Sequence, residues 1–241
     1  SQQAKLVATL GTSADFDHFG TSVAIDGDVA LVGAPDWGTE DGHVHIFRRS
    51  GTTWTAQQVL GPPTTGYFYR FGYDVAVHGT KLAASAPYFG GQFEGAIAVY
   101  AEVGGTWTFE TWLTTGWTGP NDYMGEDIDL SQSGTIMRVI ATTRTHGAVT
   151  YSDATGSWQP RFAVVAPAVD AVAVGGATVV LAVSTATVGG LANAGAAYVY
   201  FGGAIANQSP VSQGSLIASD ASAGDRFGSS LDIDGGVIVV G

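Results

Sequence analysis

Asp17-His18-Phe19-Gly20-Thr21-Ser22-Val23-Ala24-Ile25-Asp26-Gly27-Asp28-Val29-Ala30-Leu31-Val32-Gly33-Ala34-Pro35 is the stretch that decides the fold. An aromatic-Gly pair opens it. Two short apolar runs follow, split by Asp26-Gly27-Asp28. Apolar runs of this length bounded by Gly and Asp read as β-strands, and Asp-Gly between two of them reads as a tight hairpin.

The same order recurs about every 52 residues, which marks a repeat architecture. Phe71-Gly72, Met124-Gly125 and Phe227-Gly228 repeat the opening pair. Val75-Ala76-Val77, His78-Gly79-Thr80 and Lys81–Pro87 repeat the two runs and their turn. Leu231-Asp232-Ile233, Asp234-Gly235-Gly236 and Val237–Gly241 repeat them again. A Gly then opens a third apolar run: Gly42–Phe47, Gly95–Tyr100, Gly147–Tyr151 and Gly195–Tyr200. Gly there permits close backbone approach or positive φ. A turn ending in Trp54, Trp107 or Trp158 leads into a fourth run.

Four strands per unit make one antiparallel blade that is apolar on both faces and must stack on its neighbours. The expectation is an all-β fold, a β-propeller of four-stranded blades in one domain. The units run roughly over 11–60, 61–113, 114–165, 166–216, and 217–241 together with 1–10. The fourth unit lacks the aromatic-Gly pair and the Trp, but Val172-Ala173-Val174, Val179-Val180-Leu181 and the Gly195 run keep its phase. Residues 4–10 resemble a fourth strand, so either the termini share one blade or the chain belongs to a longer array.

Composition agrees with this reading. The chain is 45% hydrophobic with 35 Gly, and only 12% of its residues are charged, as suits many turns and strands buried on both faces. A net charge of −12 with two lysines, Lys5 and Lys81, provides no footprint for nucleic acid or anionic membranes. With no Cys, disulfide frameworks and thiolate chemistry are excluded. The uncharged stretch from Ala171 to Ser219 is long enough to prompt a membrane reading. Its Gly, Thr and Ser content and its phase with the repeat argue for strands instead.

The string Asp17–Ala24, with Leu31-Val32-Gly33-Ala34-Pro35 and Gly42–Phe47, resembles the FG-GAP repeat of integrin α-type propellers. That resemblance implies a seven-bladed propeller, an extracellular or cell-surface setting, and a calcium loop between the first and second strands. Calcium needs six to eight oxygen ligands. Asp26-Gly27-Asp28, Ser131-Gln132-Ser133 and Asp234-Gly235-Gly236 read as turns too short to supply them, so no cofactor is expected.

Several residues invite a functional reading. His43 and His45 share a strand face, and with Glu40 and Asp41 they raise a transition-metal site; a solvent-facing or blade-edge strand is the simpler account. Asp17, Asp122 and Asp225 each precede the aromatic-Gly pair by two residues, where a carboxylate accepts backbone N–H groups in a turn. The recurring pairs Phe19-Gly20, Phe71-Gly72, Gly125 after Met124, and Phe227-Gly228, with Trp54, Trp107 and Trp158, read as repeat-structural. Trp37, Trp112 and Trp117 fall out of phase. With Tyr67, Phe68, Tyr69 and Tyr88, they are either a ligand-binding surface or loop aromatics that cap the core. Trp37, Tyr67, Tyr69, Tyr88 and Trp117 are the ligand-binding candidates.

No nucleophile elbow, zinc-protease helix or phosphate loop occurs, and the chain reads as a non-enzyme. Asn207-Gln208-Ser209 is a formal glycosylation sequon. The expected function is adhesion, recognition or assembly at an extracellular surface, with a protein or glycan partner or with itself. A lectin-like glycan binder is the alternative, and a hydrolase on a propeller scaffold a third.

Overall fold

The computed structural model describes residues 4–8, 18–35, 41–64, 69–116, 119–154, 156–164, 169–201 and 211–241. Four sheets of four strands and one hairpin form among them. Blade one holds β1 (Val23–Asp26), β2 (Val29–Ala34), β3 (His43–Ser50) and β4 (Thr53–Leu60). Blade two holds β5 (Val75–His78), β6 (Lys81–Ala86), β7 (Ala96–Val103) and β8 (Thr106–Leu113). Blade three holds β9 (Ile128–Ser133), β10 (Ile136–Thr143), β11 (Gly147–Ser152) and β12 (Gln159–Val164). Blade four holds β13 (Ala171–Gly175), β14 (Thr178–Val183), β15 (Ala196–Phe201) and β16 (Val211–Leu216). The hairpin is β17 (Leu231–Asp234) with β18 (Val237–Val240).

Strands pair in sequence order within every blade, and each pairing is antiparallel. The fold is all-β, built of the four-stranded blades of a β-propeller. The uncharged stretch after Ala171 folds as strands β13 to β16. The sequence reads as one domain. The structure divides into two compact units, Ser1–Thr114 with Gly119–Glu126, and Thr115–Thr118 with Asp127–Gly241.

The first hairpin of each blade is a two-residue turn with a glycine at its first central position. Gly27, Gly79, Gly134, Gly176 and Gly235 take φ of 52 to 61° there. A right-handed strand twist is matched by turns that need positive φ at this position. In blade three the turn is Gly134-Thr135. Ser131-Gln132-Ser133, read as the turn from sequence, lies within β9.

In the first unit, Val29 and Leu31 of β2 pack with Val44, Ile46, Val75, Val77, Leu82 and Trp107 in one buried cluster. Trp54 and Phe19 pack with Ala30, Val32 and Phe47. Leu6 joins that group, and residues 4–8, which resemble a fourth strand in sequence, belong to no strand. In the second unit, Val172 and Val174 pack with Ile140, Val179 and Leu181. Ala171, Val180 and Ala182 pack with Phe227, Leu231, Ile233, Ile238 and Val240.

The repeated motifs are explained at these stacking contacts. Phe71, the aromatic of blade two's pair, donates its N–H to Asp41 O at 2.9 Å; Met124 donates to Glu94 O at 3.1 Å and Phe227 to Ala194 O at 3.0 Å. The glycine that follows each acceptor, Gly42, Gly95 or Gly195, runs against that same backbone. A Cβ on Gly195 would sit 2.0 Å from Phe227 O, and one on Gly95 would sit 2.3 Å from Met124 N. The pair's own glycine then donates to the end of strand two: Gly20 to Gly33 O, Gly72 to Ser85 O and Gly228 to Gly241 O. The aromatic-Gly pair of one blade and the opening glycine of the preceding third strand are thus two halves of one contact.

First strands also stack through side chains. Asp127, just before β9, and Asp129 and Ser131 within it alternate along the chain and accept the N–H groups of Val172, Val174 and Gly176 at 2.7, 2.7 and 3.0 Å. Arg138 donates to Gly176 O at 2.8 Å and holds the same turn from its other side. In the first unit Asp26 accepts the Gly79 N–H at 2.6 Å. Between outer strands, the Gln58 amide bonds both Trp107 N–H and Trp107 O at 2.9 Å.

The third and fourth strands share one irregularity in every blade. Their register shifts between Ile46 and Phe47, Val99 and Tyr100, Thr150 and Tyr151, and Val199 and Tyr200. Each shift inserts one extra residue in the fourth strand: Gln57, Glu110, Arg161 or Gln213.

Candidate functional site

The residue before each aromatic- or Met-Gly pair takes the left-handed conformation: His18, Arg70, Tyr123 and Arg226 have φ of 49 to 58°. Recurrence in four places makes this a device of the repeat. The left-handed residue starts a turn, with Thr21 and Tyr73 donating backbone N–H to His18 O and Arg70 O at 3.1 Å. Two residues before the opening glycine of strand three, Phe93 and Asn193 also have positive φ, 60 and 53°. Asn tolerates this region through its short polar side chain. Phe does not, and Phe93 carries about 1 to 2 kcal/mol of backbone cost.

Phe93 recovers little of that cost by burial, since it is 41% exposed. It stands in a group of four with Arg70, Tyr88 and Tyr123. Ring centroids lie 5.1 Å apart for Tyr88 and Tyr123, and 5.5 Å for Tyr88 and Phe93. Phe93 and Tyr123 lie 5.8 Å apart with planes only 11° from parallel. The Arg70 guanidinium carbon is 4.3 Å from the Tyr88 ring centre, a cation–π geometry. Backbone bonds fix the base of the group: Tyr123 N–H to Phe93 O at 3.0 Å, and Asn121 N–H to Gln92 O at 2.7 Å. Asn121 is exposed, and its Oδ1 accepts the Tyr123 hydroxyl at 3.3 Å. Rigid aromatic rings, a guanidinium and an amide on one loop surface can take an apolar face and hydrogen-bond its polar rim.

Of the ligand-binding candidates, Tyr88 is the one placed in this group. Tyr69 is buried, with its ring 4.9 Å from Phe89, and belongs to the core. Trp112 also packs inward, 4.6 Å from Phe89 and 6.5 Å from Phe71. Trp37, Tyr67, Phe68 and Trp117 lie outside the described residues, as do Asp17, Glu40 and Asn207. Sequence reading missed Arg70, Phe93 and Tyr123. A signal was present, because an aromatic at the position filled by Asn193 in blade four departs from what the turn requires.

The histidine pair resolves differently from expectation. β3 lies between β2 and β4, so it is not a blade edge. His45 is buried, edge-on to Phe19 at 5.1 Å, because its alternation faces the stacking surface. Among the described residues no three His, Asp or Glu side chains gather to hold a metal ion. The first hairpins do not fit calcium either. Asp26 is engaged by the Gly79 N–H and Asp28 by Arg49 Nε at 2.8 Å, and two turn residues cannot wrap an ion.

Asp225 accepts the Ser222 N–H at 2.6 Å, the turn role its position suggests. Asp122 is buried. Among the described residues, Asp129 is the carboxyl most displaced from its ordinary range: burial pushes it up to about 7, against the pull of the Val174 and Leu130 N–H groups, and Asp232 and Asp127 add repulsion. A displaced carboxyl can mark a catalytic site. Here both oxygens accept backbone N–H groups, so its role is to join first strands.

Comparison with known proteins agrees in part with the sequence reading. Among curated proteins, none matches the chain. The solved structure of a computationally designed protein, Ika4, is similar with a TM-score of 0.47 and 13% identity, covering 78% of this chain and 94% of that one. Residues 1–47 and 211–241 match a family model described as FG-GAP repeat. The matched segments hold β1, β2 and most of β3 at one end of the sequence and β16 to β18 at the other.

Proposed function

We propose that this chain is a non-catalytic recognition module of an extracellular or cell-surface protein, with the Arg70–Tyr88–Phe93–Tyr123 group as its contact surface. The observation that carries this reading is Phe93, an exposed aromatic held at φ 60° where the equivalent position in blade four holds Asn193. Strained residues persist where the surroundings over-determine them, and they gather at binding sites. Binding surfaces also favour loops on a rigid scaffold, with Tyr and Arg as anchors.

A glycan partner is the second reading, supported by the near-parallel Phe93 and Tyr123 planes. The outer face of a stacked ring pair is a flat apolar surface suited to the C–H face of a sugar.

The test compares the protein with its Phe93→Asn variant for adhesion to cells and for binding on a glycan array. Asn suits the backbone, so the variant keeps its fold. Loss of adhesion with no fall in melting temperature supports the site, and array hits lost with it assign a glycan. Adhesion equal to that of the parent would remove the group from the function.

A further inference from the structure

Along one row of blades one, two and three, a cation stands beside the residue that the fourth strand inserts. Register fixes the row. Asp26, His78 and Ser131 follow the aromatic or Met of their pairs at the same spacing, and they lie opposite Val29, Lys81 and Arg138 on strand two. Those in turn lie opposite Arg48, Ala101 and Ser152 on strand three. In blade one, Arg48 Nε donates to the inserted Gln57 at 3.2 Å, and the same guanidinium pairs with the Glu102 carboxylate. In blade two, Lys81 pairs with the inserted Glu110. Each of these cations has its acid.

Blade three departs from this. Arg138 takes the place of Lys81 and the inserted residue is Arg161, so two guanidiniums stand where blade two has an ion pair. Arg161 Nε donates to Ser152 Oγ at 2.6 Å, and Ser152 lies opposite Arg138, so the three side chains share one face. Thr150, two residues along β11, is on that face too. Among the described residues, no carboxylate lies within ion-pair distance of either arginine. Arg138 Nε, Arg161 Nη2 and Thr150 Oγ1 are buried without a hydrogen-bond partner. Ser152 Oγ accepts from Arg161, which leaves its own hydrogen to give.

Arg138 is 4% exposed, and burial pushes its guanidinium below the usual range, against the pull of Asp153. Asp153 is itself engaged, accepting the Met137 N–H at 2.8 Å. A buried charge is costly unless it is paired and hydrogen-bonded.

We propose that this face of blade three binds a small oxyanion of the phosphate or sulfate class, held by Arg138, Arg161, Ser152 and Thr150. All four free groups donate, and the two guanidiniums supply the charge that a dianion needs. Arg161 is half-buried and gives the ion its way in. Arg138, Ser152 and Thr150 are buried, so the site suits a free ion and not a phosphate carried on a macromolecule.

Calorimetric titration of the 241-residue chain with inorganic phosphate, and separately with sulfate, tests this at fixed ionic strength. Arg161→Gln and Arg161→Glu are the variants, and both copy residues that other blades carry at the inserted position, Gln57 and Glu110. The parent is expected to bind phosphate saturably, and its melting temperature to rise with phosphate concentration. Arg161→Gln is expected to bind at least about tenfold more weakly. Arg161→Glu places a carboxylate beside Arg138, as Glu110 stands beside Lys81. It is expected to lose phosphate binding and, in phosphate-free buffer, to melt above the parent. A parent that binds neither ion saturably overturns the proposal. Phosphate binding that Arg161→Gln leaves unchanged overturns it too, because the ion then sits elsewhere.

Discussion

Gly195 lies so close to Phe227 that the two backbones leave no room for a side chain between them: a Cβ would fall 2.0 Å from the Phe227 carbonyl oxygen and 2.5 Å from its nitrogen. Gly95 stands in the same relation to Met124. The obstructing atoms are main chain, so nothing can swing aside. Gly95→Ala is expected to cost at least about 3 kcal/mol, combining the left-handed backbone with displacement of the next blade. Gly104→Ala, at φ 60° with nothing within 4 Å, is expected to cost about 1 kcal/mol. Urea denaturation of both variants measures the difference, which isolates the close approach from the backbone effect.

Asp129 makes stability depend on pH. Its carboxyl is lifted from 3.8 to about 7 by burial. A raised folded-state value means the folded protein holds its proton more tightly than the unfolded chain. The associated stability is complete below pH 4 and is lost as pH rises toward 7, and by neutral pH the loss is about 4 kcal/mol. Asp129→Ser keeps an acceptor, as Ser131 does in the same strand, and removes the charge. The stability of the parent relative to this variant is expected to fall between pH 4 and 7, read from melting curves at each pH.

Gln58 is the clamp between the outer strands of blades one and two. Its amide bonds the N–H and the carbonyl of Trp107. Gln58→Met keeps the length and leaves both backbone groups without that partner. A loss of about 2 kcal/mol is expected by chemical denaturation, since a desolvated backbone group without a bond costs 1 kcal/mol or more.

Phe93→Asn is expected to raise stability slightly, by up to about 1 kcal/mol, because Asn accepts the left-handed region that Phe resists. A thermal melt measures it. An increase in melting temperature would show that the parent residue is not there for the fold.

Much of the fold was legible because the decisive signals are local. Gly27, Gly79 and Gly235 each mark a hairpin whose turn chemistry is set by two residues, and the alternating apolar runs beside them need no distant information. The turn of blade three was misplaced for the opposite reason. Ser131, Gln132 and Ser133 look like a turn by composition, but Ser131 is polar because it accepts the N–H of Gly176, a bond across 45 residues. His45 shows the same limit, its burial being fixed by Phe19 and the stacking side of β3. Tyr69 and Tyr88 are both loop tyrosines next to a Phe. Only packing separates a ring against Phe89 from one beneath Arg70.

The extra residue that each fourth strand inserts has an effect on how these chains meet in solution. A blade's outer strand exposes its unused backbone groups, and a straight one would template the strand of another molecule. The insertions at Gln57, Glu110, Arg161 and Gln213 bend that strand and place a polar side chain at the bend. An incoming strand would have to carry the same kink at the same place to stay in step. A sequence this rich in Val, Ala and Tyr is thereby steered away from amyloid-like growth along its rims.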